Sequence, residues 1–275
     1  MPQTIHLHLS TLQAPSAKNV EQAFSLAKQL GARVDVSVLA VETPQFVYYP
    51  SPYAAAAIAD LVEDVFKQAD DLASLAVRTA EAAGVEATIF KQSVRGRGLE
   101  RAPALVARTC DFSITPLRPG EGDSLKEAEQ LTFDAGRGVL VLPEAHEGDI
   151  ALGRVLVAWD HSEASARAVA FAAGLLKHAE AIDVVTIDSD RLPTAAEANA
   201  RAVAHLQGHG LPVTGKVIEA SDKKAGARLA ELAQTGAYDL VVMGAYNTPR
   251  AQEILFGGAT RTMLRSTTRP LFLAN

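Results

Sequence analysis

The stretch Arg154–Leu176, RVLVAWDHSEASARAVAFAAGLL, predicts a buried β-strand followed by an α-helix. Its first six residues, RVLVAW, are almost wholly apolar, which is typical of a strand that is covered on both faces of a sheet. Ser162 stands where a helix N-cap is expected, and apolar residues from Ala164 to Leu175 recur at helical spacing. A strand that leads directly into a helix is half of a β-α-β unit, so this stretch favours an α/β fold.

The same alternation continues to the end of the chain. The later strand patterns are AIDVVTI, LPVTGKVIEA, YDLVVMGA and RPLFLAN, and the helix patterns between them are PTAAEANARAVAHLQGHG, KKAGARLAELAQTG and ATRTMLRST. Strands that alternate with helices are typical of a parallel sheet covered by helices on both faces. The second half therefore predicts a doubly wound domain with a mainly parallel sheet of five strands.

The first half repeats this order, which indicates an internal duplication. TCDFSITPL aligns with AYDLVVMGA, so that Asp111 matches Asp239, and GRGVLVLP aligns with TTRPLFLA. We predict two tandem doubly wound domains, residues 1–146 and residues 151–275, with a short linker at Glu144–Gly153.

Composition and charge exclude several classes of protein. The chain has 275 residues, of which 48% are hydrophobic and 21% charged, as in a globular protein with one large core or two ordinary ones. No apolar run approaches the roughly 20 residues of a membrane span, and the net charge of −6 is unfavourable for a nucleic-acid partner. The first residues, MPQTIHLHLST, lack the pattern of a signal peptide, and Cys110 is the only cysteine. We therefore expect a cytoplasmic protein without disulfides.

Candidate ligand contacts lie where the predicted strands end. In a doubly wound sheet, ligands bind beyond the carboxyl ends of the strands, where the connections diverge. Asp160 and Ser162 follow the first strand of the second half, and Gly244 follows its fourth. Backbone N–H groups at Gly244 and at Gly257–Gly258, next to a helix N-terminus, suit an anion such as phosphate.

Each of these features also has a structural interpretation, and the sequence leaves both open. Ser162 is the expected N-cap of its helix, and Asp160 can terminate a strand and bond the turn that follows. Gly257–Gly258 can allow a helix to pack closely on the sheet. The segment RGRG, Arg95–Gly98, is either a flexible loop or an anion site.

Several catalytic and metal-binding motifs are excluded. Asp160–Ser162 has the letters of a hydrolase triad, but consecutive residues cannot form its chain of hydrogen bonds, and no G-x-S-x-G is present. The sequence contains neither a Walker motif nor G-x-G-x-x-G. His6 and His8 share one face of a strand, but nothing nearby completes a set of metal ligands. The pair His205 and His209, spaced i, i+4, stays open as either a metal clip or a solvated helix end.

Two segments of the second half resemble the universal stress protein family. RVLVAWDHSEASARAVAFAAGLL is similar to the opening of such a domain, in which the first strand ends in Asp and a Ser-capped helix follows. The stretch from Gly244 resembles the family's G-x2-G-x9-G-[S/T] loop, with Asn247 in the second glycine's place and Gly258 in that of the hydroxyl residue. The resemblance covers the second half throughout and the first half by layout, so the chain resembles a tandem universal stress protein.

The resemblance implies five parallel strands in each domain, domain pairing through the final strands and, in one subclass, ATP binding. In that subclass the strand-one Asp lies near the adenosine, the end of strand two meets the base, and the glycine loop holds ribose and phosphates. The implied contacts here are Asp160, Ser162, Thr186, Gly244, Asn247, Gly257 and Gly258, with Thr260 as a substitute for the missing hydroxyl. That hydroxyl's hydrogen bond to a charged group is worth about 1.5–3 kcal/mol. Its loss leaves two outcomes open: weak binding of ATP with Mg²⁺, and an empty pocket.

The first domain departs further from this pattern. Its first strand ends in LSTLQAPS without an Asp, and Pro116 stands where Gly244 would align, so we expect no nucleotide there. Residues 1–150 carry 13 Lys and Arg against 20 Asp and Glu, so the acidity of the chain belongs to this half. We expect the first domain to pair with the second through its final strand, and the aromatic stretch Phe46–Tyr53 to cover a surface or a partner. An exposed final strand also leaves a homodimer open.

These observations predict a stress-response protein that acts by binding rather than by turnover. One alternative is a slow Mg²⁺-dependent nucleotide hydrolase, whose activity would depend on Asp160. The other is a ligand-free interaction scaffold, in which the altered loop keeps its shape without a ligand. The two alternatives differ in phosphate release, and the scaffold alone predicts no nucleotide bound to the purified protein.

Overall fold

Strands and helices alternate along the whole described part of the chain. The computed structural model describes residues 3–42, 52–95, 102–118, 122–188, 195–219, 225–245 and 258–275. The strands are β1 (Thr4–Ser10), β2 (Arg33–Glu42), β3 (Ala87–Arg95), β4 (Phe112–Leu117), β5 (Gly138–Pro143), β6 (Arg154–Ala158), β7 (Ala181–Asp188), β8 (Val213–Glu219), β9 (Leu240–Gly244) and β10 (Leu271–Ala274). The helices are α1 (Ala17–Leu30), α2 (Pro52–Ala83), α3 (Ala102–Ala107), α4 (Gly122–Asp134), α5 (Glu163–Phe171), α6 (Ala173–Leu176), α7 (Ala195–Gly208), α8 (Ala225–Thr235) and α9 (Gly258–Ser266).

The strands form one continuous sheet with the order β3-β2-β1-β4-β5-β10-β9-β6-β7-β8. Each half of the chain contributes five strands in the same relative order, and every pairing within a half is parallel. Most strands are buried along nearly their whole length because helices cover both faces of the sheet. The predicted α/β fold with two doubly wound halves is confirmed.

Matching hydrogen bonds show that the two halves are structural repeats. The carboxylate of Asp111 accepts a hydrogen bond from the Thr4 backbone N–H at 2.8 Å, and Asp239 accepts one from Arg154 N–H at 2.7 Å. In return, the backbone N–H of each Asp donates to the carbonyl of the residue that it caps. The predicted alignment of Asp111 with Asp239 therefore has a physical basis, since each fixes the start of its first strand.

The two halves meet at an antiparallel pair of strands. β10 pairs with β5, with Phe272 opposite Leu140. The Phe272 ring is fully buried, lies edge-on to Phe112 at 5.9 Å between ring centroids, and rests on Gly138. A Cβ at Gly138 would lie 2.1 Å from this ring, so the glycine is required for the contact.

The linker between β5 and β6 is packed rather than loose. Ile150 and Leu152 are buried in a core cluster that also contains residues from both halves of the sheet. Gln22, on α1, donates from its amide nitrogen to the carbonyl oxygens of His146 and Gly148. These contacts stabilise the linker against the first domain.

Two helices differ from their predicted bounds. α2 begins at Pro52, ahead of the predicted start near Ala56. The helix predicted from Ser162 onward is divided at Ala172 into α5 and α6. Beyond the division, Gly174 approaches Gln3 so closely that a Cβ would lie 2.2 Å from its Nε2, so the break accompanies a close contact between the halves. Among the described residues, no helix is both long and apolar enough for a membrane span.

Candidate functional site

Three strands of the second half end side by side at the carboxyl edge of the sheet. Ala158, the last residue of β6, pairs with Val185 of β7 and with Met243 of β9. Because these strands are parallel, the residues that follow lie at the same edge. Trp159, Thr186 and Gly244 are therefore neighbours at the place where doubly wound sheets bind ligands.

Asp160 is held at this edge by the first turn of α5. Its Oδ1 accepts hydrogen bonds from the Ser162 backbone N–H at 3.1 Å and from the Ser162 hydroxyl at 2.6 Å. His161, between them, has a left-handed backbone with φ of 61°, which tightens the turn. The Asp160 side chain is exposed, so it is oriented by the protein and open to solvent.

Ser162 is the N-cap of α5, as the structural interpretation of the sequence predicts. Its Oγ accepts a hydrogen bond from the Ser165 backbone N–H at 3.1 Å. A cap of this kind satisfies one of the unpaired N–H groups at a helix start. Ser162 therefore acts on the site through Asp160, which it positions.

Gly244 has a packing role that the phosphate-loop interpretation did not foresee. A Cβ at this position would lie 2.5 Å from the Ser165 backbone nitrogen and 2.7 Å from the Ala164 carbonyl carbon. The first turn of α5 therefore packs directly on the end of β9, which only a glycine permits. Any larger residue would move α5, so a substitution here tests the fold before it tests a ligand.

Thr186 and Thr260 point into the protein, so their side chains do not form part of an open site. Thr186 is fully buried, and its Oγ1 accepts a hydrogen bond from Asn199 Nδ2 at 3.0 Å. Thr260 is buried on the inner side of α9. Thr186 retains only its main chain for a ligand, and Thr260 does not replace the hydroxyl that Gly258 lacks.

Gly258 begins α9 with open space around it. Among the described residues, a Cβ there would meet nothing within 4 Å, and its φ is outside the left-handed range. A side chain is therefore sterically acceptable at this position, unlike at Gly244. The two remaining predicted contacts, Asn247 and Gly257, lie outside the described residues, as do Phe46–Ser51 of the aromatic stretch and Gly96–Gly98 of the RGRG segment.

An aromatic pair beside Asp160 was not predicted as part of the site. Trp159 and His161 place their rings edge-on, 6.2 Å apart. Trp159 is half-buried, and within the described residues its buried indole N–H has no hydrogen-bond partner. The sequence signal was the aromatic residue at the end of the strand, directly before the Asp.

The corresponding edge of the first domain has different chemistry. By strand register, Ser10 occupies the place of Asp160, and Pro116 that of Gly244. Beneath this edge lies a buried polar network, which comprises His6, His8, Ser37, Ser113, Glu127 and Gln13. The His6 ring nitrogens contact the hydroxyls of Ser37 at 2.7 Å and Ser113 at 3.0 Å.

The network continues from His8 to α4. His8 Nδ1 contacts the Ser37 hydroxyl at 3.2 Å, and its Nε2 lies 3.7 Å from Glu127 Oε1. Gln13 donates to the other oxygen of Glu127 at 2.8 Å. Burial opposes ionisation of Glu127, but its interactions with nearby His8, Ser10 and Gln13 lower its pKa below the usual value. All of these side chains are buried, so the serine, histidine and glutamate are closed to substrate.

No metal centre emerges from the histidine pairs. Within the described ranges, no group of three or more His, Cys, Asp or Glu side chains is placed to hold a metal ion. His205 and His209 are both exposed at the end of α7, with their rings 4.8 Å apart. Cys110 is buried, and desolvation together with nearby Asp35 raises the pKa of its thiol to about 11, which keeps it protonated and unreactive.

In the described part of the second domain, the strongest electrostatic cluster stabilises the fold, away from the carboxyl edge. Asp183, near the start of β7, accepts hydrogen bonds from Lys216, Tyr238, Arg154 and Thr214 at 2.8–3.0 Å. Burial disfavours the charged carboxylate, but these four donors outweigh it and hold the pKa of Asp183 well below its usual range. The cluster joins three strands and the turn before β9.

Comparison with known proteins supports the fold and the family. Residues 152–274 match the model of the universal stress protein family. A universal stress protein from Archaeoglobus fulgidus has the same fold over 98% of this chain and 96% of its own, with a TM-score of 0.73 and 15% identity. A Pseudomonas aeruginosa protein assigned to the same family matches over 99% and 93%, with a TM-score of 0.57 and 13% identity. No curated protein matches the sequence.

The fold defines a tandem doubly wound α/β protein whose two halves form one sheet. The two halves carry different residues at the carboxyl edges of their strands. The full-length structural matches have this same tandem fold. The second half matches the model of the universal stress protein family almost from end to end, and the first half shares its fold.

Proposed function

We propose that the second domain binds an adenine nucleotide, weakly and without turnover, at the carboxyl edge of β6, β7 and β9. The observation that carries this proposal is the exposed Asp160 carboxylate, which Ser162 fixes where the three parallel strands end. A carboxylate in this position suits the ribose hydroxyls of a nucleotide. The neighbouring ring of Trp159 adds apolar surface for a base.

The phosphate end of the site has fewer contacts. Gly258 offers the backbone N–H of a helix start but no hydroxyl, and Thr260 is turned inward. The missing hydrogen bond lowers affinity by about one to two orders of magnitude. We expect Mg²⁺ to arrive with the phosphates, because Mg²⁺ commonly keeps its waters and takes few protein ligands.

A ligand-free scaffold is the second candidate, and the inward-facing threonines favour it. Two of the positions implied by the family resemblance, Thr186 and Thr260, have their side chains inside the protein. In this case Gly244 would be retained only because α5 packs on it. The two candidates differ in whether the stripped protein binds Mg-ATP at all.

The test is a titration of Mg-ATP into the full chain after bound small molecules have been removed. Trp159, the only tryptophan, lies next to Asp160, so its fluorescence reports on this edge. Calorimetry supplies the affinity, and a phosphate-release assay detects turnover. We expect saturable weak binding and no phosphate release.

Two variants locate the site. Asp160→Ala should weaken binding about tenfold to a hundredfold, because it removes hydrogen bonds to a charged acceptor. Gly258→Ser should strengthen binding by a similar factor, because it adds the hydroxyl where the fold has room. Glu163→Ala is the matched control: it removes an exposed carboxylate in the first turn of α5, which pairs with Arg167 on the same helix.

Each outcome separates the candidates. No heat and no fluorescence change, even with Gly258→Ser, would leave the scaffold as the function of the second domain. Equal weakening by Asp160→Ala and Glu163→Ala would place the nucleotide elsewhere. Phosphate release that disappears with Asp160→Ala would instead support the hydrolase.

A further inference from the structure

Among the described residues, the first domain contains a helical projection that the second domain lacks. α2 has 32 residues, whereas its counterpart α7 has 14. Both helices are followed by a left-handed glycine, Gly84 or Gly210, shortly before the next strand. The extra 18 residues of α2 correspond to about 27 Å of helix length, and they therefore lie at the start of α2. Because α2 follows β2 and precedes the parallel β3, this start is at the carboxyl edge of the first domain.

The projecting part carries an apolar stripe that extends beyond the fully buried core, with Val65 at the border packed against that core. Among the described side chains of α2, the first buried residue is Ala69, and the stripe continues through Leu72 into the core. We call residues 59–68 the α2 overhang. Its apolar residues follow the same helical spacing as the buried face, at Leu61, Val62, Val65 and Phe66.

Exposure of the overhang is uneven across this stripe. Leu61 is 45% exposed and Phe66 is 41% exposed, whereas Val62 and Val65 between them are half-buried. Large apolar side chains grouped on one projecting helix are a recognised mark of an interaction site. A helix that leaves its core also gains little from its own hydrogen bonds, so a partner that covers the stripe would stabilise it.

The charges around the stripe favour a positively charged partner. Asp64 lies three residues after Leu61, and Glu63 three residues before Phe66, so each exposed apolar side chain has a carboxylate neighbour on the helix surface. The overhang carries Asp60, Glu63 and Asp64 against one cation, Lys67. A second copy of the same acidic helix would place like charges together, and an anionic membrane surface would be repelled.

We propose that the α2 overhang is a docking site for an amphipathic helix of a partner protein, one with an apolar ridge bordered by Lys or Arg. The partner's ridge would cover Leu61, Val62, Val65 and Phe66, and its basic borders would face Glu63 and Asp64. This is recognition between two amphipathic helices, with specificity set by charge. The site is in the first domain and is independent of nucleotide binding in the second.

The test uses the full chain and two synthetic helical peptides of about 20 residues, a length that permits a helix in water. Both peptides carry the same leucine ridge, bordered by Lys in one and by Glu in the other, and a fluorescein label for anisotropy. We expect saturable binding of the Lys peptide and at least tenfold weaker binding of the Glu peptide. Leu61→Gln with Phe66→Gln should reduce binding of the Lys peptide at least tenfold.

The control variant is Val77→Gln, because Val77 is on the same helix and 42% exposed but lies outside the overhang. It should leave binding unchanged. Glu63→Lys with Asp64→Lys should reverse the preference between the two peptides. These substitutions are on the surface, so circular dichroism should show the same helix content in every variant.

Several results would overturn the proposal. Equal binding of both peptides, or equal loss with Val77→Gln, would mean that the overhang does not select its partner. Absence of saturable binding would remove the site altogether. A dimer of the unmodified chain in light scattering, lost on Leu61→Gln with Phe66→Gln, would make a second copy the occupant instead of a basic partner.

Discussion

The two domains share one strand order but bury different side chains on one equivalent face of the sheet. This face packs against α8 and α9 in the second domain. At three positions that are equivalent by strand register, the second domain has Leu156, Val185 and Val241, whereas the first has His6, Ser37 and Ser113. All six are buried. The second domain therefore has an ordinary apolar core on this face, and the first has a hydrogen-bonded polar network in its place.

At a buried carboxylate beside these positions, the second domain is the one with more hydrogen bonds. Asp35 in the first domain and Asp183 in the second occupy equivalent places, and both side chains are nearly buried. Asp183 has four donors at 2.8–3.0 Å, whereas Asp35 contacts Arg33 Nη2 at 3.8 Å and Cys110 Sγ at 3.9 Å. The duplication therefore preserved the fold while each copy distributed its buried polar groups differently.

The largest expected effect comes from removing these two carboxylates. Asp183→Ala should lower the free energy of unfolding by about 2–4 kcal/mol, because it removes four hydrogen bonds to a nearly buried carboxylate and leaves the buried Tyr238 hydroxyl without its acceptor, while Lys216 and Arg154 are partly exposed and can be solvated. Asp35→Ala should change it by about 1 kcal/mol or less. Urea titration at neutral pH measures both. Since the pKa of Asp183 is depressed, its contribution is complete above about pH 4 and is lost as the pH falls below that value.

Equal losses in the two variants would contradict this comparison. They would mean that Asp35 has donors in solution as strong as those of Asp183. Lys216→Ala supplies an independent check, because it removes one donor and leaves the carboxylate. Its cost should be smaller than that of Asp183→Ala, since three donors remain.

A second prediction concerns the position at which the second domain has Gly244 and the first has Pro116. Gly244→Ala should destabilise the second domain by roughly 1–3 kcal/mol, because its Cβ would overlap the first turn of α5. Gly258→Ala should be neutral or slightly stabilising, since the space is open and alanine favours a helix. Urea unfolding followed by Trp159 fluorescence reports on this domain. A neutral Gly244→Ala would show that α5 adjusts without cost.

The fold was predictable because its signals are local and repeated. Apolar runs such as RVLVAW and RVDVSVLAVE could only be buried strands, and the alignment of Asp111 with Asp239 revealed the duplication. The bounds of α2 were less predictable, since nothing in the run of alanines near Ala56 marks a helix start. The break at Ala172 accompanies a contact between Gly174 and Gln3, which are far apart in sequence.

The site was predictable only in part, because sequence motifs name residues without giving their direction. Ser162 and Asp160 are linked by local hydrogen bonds, so their roles followed from spacing. Thr186 faces inward because the alternation of β7 places its side chain against Asn199 of α7. Gly244 matches a phosphate-loop motif in the sequence. Its contact with α5 arises from the packing of segments that are distant in sequence, so the sequence alone does not show it.

A third prediction concerns the pH dependence of stability, which should differ between the polar network of the first domain and the equivalent apolar face of the second. Burial, with neighbouring His8, holds the pKa of His6 well below its usual value. The unfolded chain therefore binds a proton at His6 more readily than the folded domain does. The stability of the first domain should be complete above about pH 6.5 and fall below it, by up to about 1.4 kcal/mol per pH unit.

The control replaces the network with the second domain's own residues. His6→Leu with Ser37→Val and Ser113→Val removes the proton site together with its hydrogen-bond partners. Far-UV circular dichroism in urea at about pH 7.5 and pH 5.5 should show a loss of stability that is smaller in this variant. His8, Asp35 and Glu127 remain near the site, so an unchanged pH dependence would assign it to them instead of His6.

The smallest expected effect compares two helix caps that the duplication kept alike. Ser16 caps α1, where it accepts from Asn19 N–H at 3.3 Å, and Ser162 caps α5 in the same way at 3.1 Å. Ser16→Ala and Ser162→Ala should each cost about 1 kcal/mol in urea unfolding. Ser162 also donates its hydroxyl to Asp160, so Ser162→Ala alone should weaken Mg-ATP binding a few-fold. Equal affinities of the two variants for Mg-ATP would mean that the Ser162 backbone N–H suffices to orient Asp160, and that the difference between the domains lies in the carboxylate itself.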